Sequence, residues 1–128
     1  MRKIYLRFLP SSVALWLMMI STILNAQVTS LNLDSILLQS KNTLQSNPQE
    51  ALRKSQMIID YGDSLSNTEI LTEAFFIYGR ASSYLGDFGT AILPLFDAML
   101  ICPKTADNLR ADIYMEISDI YNRLRDYR

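Results

Sequence analysis

The chain has 128 residues, with 12 Lys and Arg against 13 Asp and Glu, no histidine, and a formal net charge of −1. That length bounds it to one small domain, and a near-neutral balance without a basic patch argues against a nucleic-acid partner. Without histidine, neither a Ser-His-Asp or Cys-His nucleophile nor a His-containing metal site can be built.

The first 26 residues read as a secretory signal peptide. Arg2, Lys3 and Arg7 form a basic start without acids, an uncharged run from Phe8 to Leu24 follows, and Ala26 is a small residue where a signal peptidase cuts. The competing reading is an uncleaved anchor, because the run approaches the roughly 20 residues that span a bilayer. Pro10, Ser11 and Ser12 interrupt its start and favour cleavage. The expectation is therefore export to the periplasm or cell envelope of a bacterium, with membrane contact only through this segment if it is retained. The single cysteine, Cys102, allows no intrachain disulfide. Its neighbours Met99, Leu100 and Ile101 predict a buried thiol, with intermolecular pairing as the alternative if it is exposed.

From residue 31 onward helical spacing dominates and nothing alternates as a strand. Leu31, Leu33, Ile36, Leu37, Leu38 and Leu44 make a first apolar stretch that ends in the polar corner Gln45-Ser46-Asn47. Asn47 is a good N-cap, Pro48 suits the first helical position, and Glu50 follows three residues after the cap. The helix they open is predicted to end around Tyr61-Gly62. Ser66 and Glu69 have capping-box spacing and predict a third helix to about Leu85. Gly86-Asp87 reads as a turn with Asp87 as cap, and a fourth helix is predicted over Phe88–Ile101. Pro94 lies inside it, where it removes a hydrogen bond and is expected to bend the helix or shorten its first part. Pro103 closes it, and a fifth helix is predicted from about Thr105 to Leu124.

The middle unit reads Phe75-x2-Tyr78-Gly79-x2-Ser82, then Gly86-Asp87-Phe88, Ala91-x3-Leu95, Ala98 and Pro103. This resembles a tetratricopeptide repeat, whose pattern is aromatic-x2-Leu-Gly-x2-Tyr, then Ala-x3-Phe, then Pro. Tyr114-x2-Ile117-Ser118-x2-Tyr121 looks like the first helix of another unit, and Arg125-Asp126-Tyr127 repeats the turn. Asn47-Pro48-Gln49-Glu50-Ala51-Leu52 resembles the opening of an earlier second helix. Ala51 precedes Ala91 by 40 residues and Phe75 precedes Tyr114 by 39, more than the roughly 34 of the standard repeat. Longer inter-unit links such as Gly62–Asn67 explain the excess. The first unit departs most, with Ser35, Gln39 and Asn42 at the aromatic, Gly and Tyr positions. The resemblance implies an all-α, antiparallel helix-pair solenoid of about two and a half repeats over residues 27–128; the alternative is an unrelated helical bundle. Gly79, Ala91 and Ala98 are expected to let helices approach closely, with Phe88 and Leu95 filling the space between them.

In that register the second helix of the last unit is missing. Ile113, Tyr114, Ile117, Ile120, Tyr121 and Leu124 are then expected to lack a partner. This predicts either the front of a longer protein or self-association through the open end.

The sequence has no Gly-rich phosphate loop and no dinucleotide fingerprint, and no cofactor is predicted. Asp60 and Asp63 stand near a turn but lack the alternating acids of a calcium loop. No catalytic residue is assigned, and the expectation is a protein without enzymatic activity. The family resemblance implies instead a concave groove, lined by the first helices of successive units, for a protein or peptide partner. Residues off the packing stripe implied to face it are Glu73, Phe76, Arg80 and Tyr84, with Asp112, Met115, Asp119 and Asn122 in the last unit. For Phe76 and Tyr84 the competing reading is packing between units. A signal peptide before such repeats is also similar to the sensor regions of bacterial regulators, in which a transmembrane helix and a histidine kinase or helix-turn-helix output follow. A role in outer-membrane assembly or nutrient uptake, which also uses such repeats, is the weakest alternative.

Overall fold

The computed structural model describes residues 11–62 and 66–126. Five α-helices follow in order among them: α1 (Ser11–Thr43), α2 (Pro48–Asp60), α3 (Thr68–Tyr84), α4 (Phe88–Ile101) and α5 (Asp107–Asp126). No strand occurs among the described residues. By internal contacts the chain divides into Met1–Asn32 and Leu33–Arg128, the boundary falling inside α1.

In the N-terminal unit, Leu15, Trp16, Met18, Met19 and Ile20 are exposed. The predicted cut after Ala26 lies within the span of α1, whereas Arg2, Lys3 and Arg7 lie outside the described residues. No helix among the described residues is long and apolar enough to cross a membrane.

In the second unit, local chemistry sets the helix boundaries. Asn47 caps α2, its side chain accepting from the Glu50 N–H at 3.2 Å, and Pro48 occupies the first turn. At the start of α3 the structure differs from the expected Ser66–Glu69 box. Asn67 is the cap, accepting from the N–H groups of Glu69 and Ile70 at 3.0 and 3.3 Å. Asn and Ser are equally good caps, and the residue adjoining the first helical turn takes the role. The α3–α4 corner is a Schellman turn: Gly86 N–H donates to Ser83 O and Asp87 N–H to Ser82 O, both at 3.0 Å. Gly86 takes φ +80°, where a side chain is strained. Asp87 then caps α4, accepting from Thr90 N–H at 3.1 Å, and hydrogen bonding to the Thr90 side chain and backbone holds its carboxyl below the usual carboxylate range. Pro94 does not shorten α4, which runs through it to Ile101. α5 starts at Asp107 and runs on to Asp126, two residues later at each end than its sequence suggests.

Two cores share α3. The first joins Leu33, Leu37 and Leu44 from α1 and its end to Ala51 and Ile58 of α2 and Ile70, Ala74, Ile77 and Ala81 of α3. Ser40 ties α1 to α2 by donating its hydroxyl to Ala51 O at 2.8 Å, so this buried polar group is satisfied. The second core joins Phe76 of α3 to Ala91, Leu95 and Ala98 of α4, Cys102, and Ile113, Ile117 and Ile120 of α5. Cys102 is buried, as its neighbours predict.

The expected close approach of α3 and α4 is present. A Cβ on Gly79 would stand 2.6 Å from Leu95 Cγ and 3.0 Å from the Ala91 carbonyl oxygen. The uncovered face expected on α5 is smaller than predicted. Ile113, Ile117 and Ile120 are buried against α4, and Leu124 packs at the core edge. Tyr114 and Tyr121 remain more than half exposed.

Candidate functional site

Glu73, Phe76, Ile77, Arg80 and Tyr84 recur at three- and four-residue steps and so form one row along α3. The end of α1 lies on one side of this row and the first turns of α5 on the other. A cavity of about 540 Å³ opens between them, walled by Lys41 and Leu44 at the end of α1 and by Asn108, Leu109 and Asp112 of α5. Its volume lies in the range of sites that hold a small ligand or a few side chains, roughly 300–1,000 Å³.

Charge and ring contacts organise the row. Lys41 of α1 forms an ion pair with Glu73 of α3. Arg80 carries its guanidinium over the Phe76 and Tyr84 rings, 5.7 Å from each centroid, as expected for aromatics one helical turn to either side. Arg80 Nε lies 3.3 Å from Glu116 Oε2 of α5. Neither Arg80 Nε nor Glu73 Oε2 makes an aligned hydrogen bond, although both atoms are buried. Both contacts are therefore charge pairs at short range, with hydrogen-bonding capacity left over.

This arrangement suits recognition. Two rings and one carboxylate hold the guanidinium in position, and its planar donors match a carboxylate or a main-chain carbonyl. Phe76 and Leu109 supply apolar lining, and Asn108 adds an amide. Among the described residues, no group of His, Cys, Asp and Glu side chains is placed to hold a metal ion. Asp60 accepts from Gln56 Nε2 at 2.7 Å, and Asp63 lies outside the described residues.

Of the residues implied by the repeat resemblance, the cavity brings together Glu73, Phe76, Arg80, Tyr84 and Asp112. Phe76 does two jobs, since it is buried in the second core and also lines the cavity. Tyr84 is 44% exposed at the rim. Met115, Asp119 and Asn122 are exposed on α5 and do not line the cavity. The main helix contacts of α5 among the described residues are with α4 and α3.

Sequence reasoning missed the α1 wall. Lys41, Asn42 and Gln45 line the cavity, yet in sequence they belong to the least repeat-like stretch and its polar corner. Lys41, Leu44 and Gln45 do carry a signal: their spacing puts them on one face of a helix that continues the Leu33-Leu37 stripe. A scan of the chain against known protein families, curated proteins and solved structures finds no match.

Proposed function

We propose that this chain is a non-enzymatic, protein- or peptide-binding module of the tetratricopeptide-repeat type, exported to the periplasm or cell envelope. The partner segment occupies the cavity between α1, α3 and α5. One observation carries the reading: five side chains implied by the repeat pattern meet around one cavity, with a ring-flanked guanidinium among them. The α3–α4 hairpin supports the repeat assignment, because Gly79, Ala91 and Ala98 are buried where the pattern calls for small residues. In this reading Arg80 takes an acidic side chain or a main-chain carbonyl of the partner, and Phe76 and Leu109 take a neighbouring apolar group. Export rests on the order of basic, apolar and small residues before Gln27.

Site-specific photo-crosslinking tests this. A benzoylphenylalanine at Tyr84, at the cavity rim, is expected to give discrete crosslinks in envelope extracts, lost when Arg80→Ala is added. The same probe at Leu100, 84% exposed on α4, serves as the control. Equal crosslinking at Leu100, or indifference to Arg80→Ala, removes the groove from consideration.

A further inference from the structure

A second cavity, of about 450 Å³, lies between α2 and α4 over α3, away from the α1–α3–α5 row. Ile59, Phe75, Leu93 and Pro94 make it mainly apolar, and Tyr78 and Thr90 add polar atoms. Two features are not needed for packing. Leu93 forms one wall although it is 71% exposed. A Cβ at Gly89, on the same rim, would meet open space apart from Asp87 Oδ1 at 3.9 Å.

Pro94 gives this pocket its chemistry. In a regular helix the N–H of residue 94 would bond to the carbonyl of Thr90, and both residues line the cavity. Proline has no N–H and its ring presses against that carbonyl, so Thr90 O keeps acceptor capacity beside an apolar wall. Thr90 is exposed, so water can meet this acceptor until a ligand donor takes its place. Tyr78 also lines the cavity and adds a hydroxyl-bearing ring to its wall.

We infer that the α2–α4 pocket is a binding site for a planar aromatic ring bearing an N–H donor, of the indole class. The ring lies against Phe75, Ile59 and Leu93, and its N–H supplies the hydrogen bond to Thr90 O that Pro94 cannot make. The site stands apart from the groove proposed above and does not depend on it. Aromatic and aliphatic walls with one placed polar group are the usual make-up of a small-ligand site, and an indole fits an apolar body with one donor.

The test is a titration of the full 128-residue chain with indole and with 1-methylindole, followed by amide and methyl NMR shifts. Indole is expected to move signals of Ile59, Phe75, Tyr78 and Leu93. 1-Methylindole, which has no N–H, is expected to move the same signals with an affinity about fivefold weaker, the scale of one neutral hydrogen bond. Pro94→Ala restores an N–H to Thr90 O and is expected to erase that fivefold preference while leaving 1-methylindole binding in place. Leu93→Asp, at an exposed position, is expected to weaken both ligands at least tenfold. N-acetyl-tryptophan amide separates the sources: binding like indole marks a partner's tryptophan, and binding by indole alone marks a free small molecule. Shifts confined to the α1–α3–α5 cavity, equal affinity for the two indoles, or a preference that survives Pro94→Ala would each overturn the assignment.

Discussion

α3 and α5 carry matching patterns, Phe75-x2-Tyr78-Gly79-x2-Ser82 and Tyr114-x2-Ile117-Ser118-x2-Tyr121, yet their environments differ. α3 is packed by α2 on one side and α4 on the other, and it buries residues all round, from Ile70 and Thr72 to Ser82 and Ser83. α5 buries Ile113, Ile117 and Ile120 along one stripe and leaves Tyr114, Ser118 and Tyr121 exposed. A repeat pattern therefore specifies which residues can pack. Whether they do pack depends on the helix that arrives next. Gly79 shows this most sharply: it touches Leu95, whereas its counterpart Ser118 faces solvent.

That contrast is open to attack by substitution. The largest effect is expected at Leu95, fully buried between α3 and α4. Leu95→Ala should lower unfolding free energy in urea by about 2–5 kcal/mol through lost burial and a cavity. Tyr121→Ala, on the exposed face of α5, should stay within about 0.5 kcal/mol.

Next comes Gly79→Ala, whose new Cβ would meet Leu95 and the Ala91 carbonyl. Overpacking there should cost about 1–3 kcal/mol, despite alanine's better helix propensity. Ser118→Ala should be neutral or stabilising by a few tenths of a kcal/mol, since only propensity changes on an exposed face. Equal losses at positions 79 and 118 would mean that α5 also has a close partner.

Smaller again is the cap of α3. Asn67→Ala should cost about 1 kcal/mol in thermal or urea unfolding, and Ser66→Ala should stay within about 0.5 kcal/mol. The opposite ranking would restore the capping box and shift the start of α3.

The smallest effect is a pH dependence at Asp87. Its carboxyl is lowered by hydrogen bonding to Thr90, so the folded state binds its proton less readily than the unfolded chain. The cap's contribution is therefore present above the ordinary aspartate range and is lost as pH falls through the lowered folded value. Asp87→Asn keeps the capping oxygen and should flatten that acid dependence in urea midpoints measured from neutral pH downward.

Much of the α2–α5 architecture was legible because its signals are local. Asn47-Pro48, Gly86-Asp87 and the small residues Gly79, Ala91 and Ala98 act within a turn or a hairpin, and each stands where its chemistry predicts. Asn67 was harder to pick, because two good caps adjoin and helix phase alone decides between them. The cavity was only half legible. The α3 row follows from three- and four-residue spacing, but the α1 wall depends on how Leu33 and Leu37 pack across α2 and α3. Met115, Asp119 and Asn122 were assigned by analogy with α3; they are exposed on α5 and lie outside this cavity.

The most direct test is native-state amide hydrogen exchange read residue by residue on the full chain. With α3 covered on both sides and α5 on one, α3 amides such as Ile77 and Ala81 should exchange only with global unfolding. The C-terminal turns of α5, around Tyr121 to Arg125, should open at markedly lower free energy. Equal protection of both helices, at the global value, would contradict the account and show that the outer face of α5 is covered.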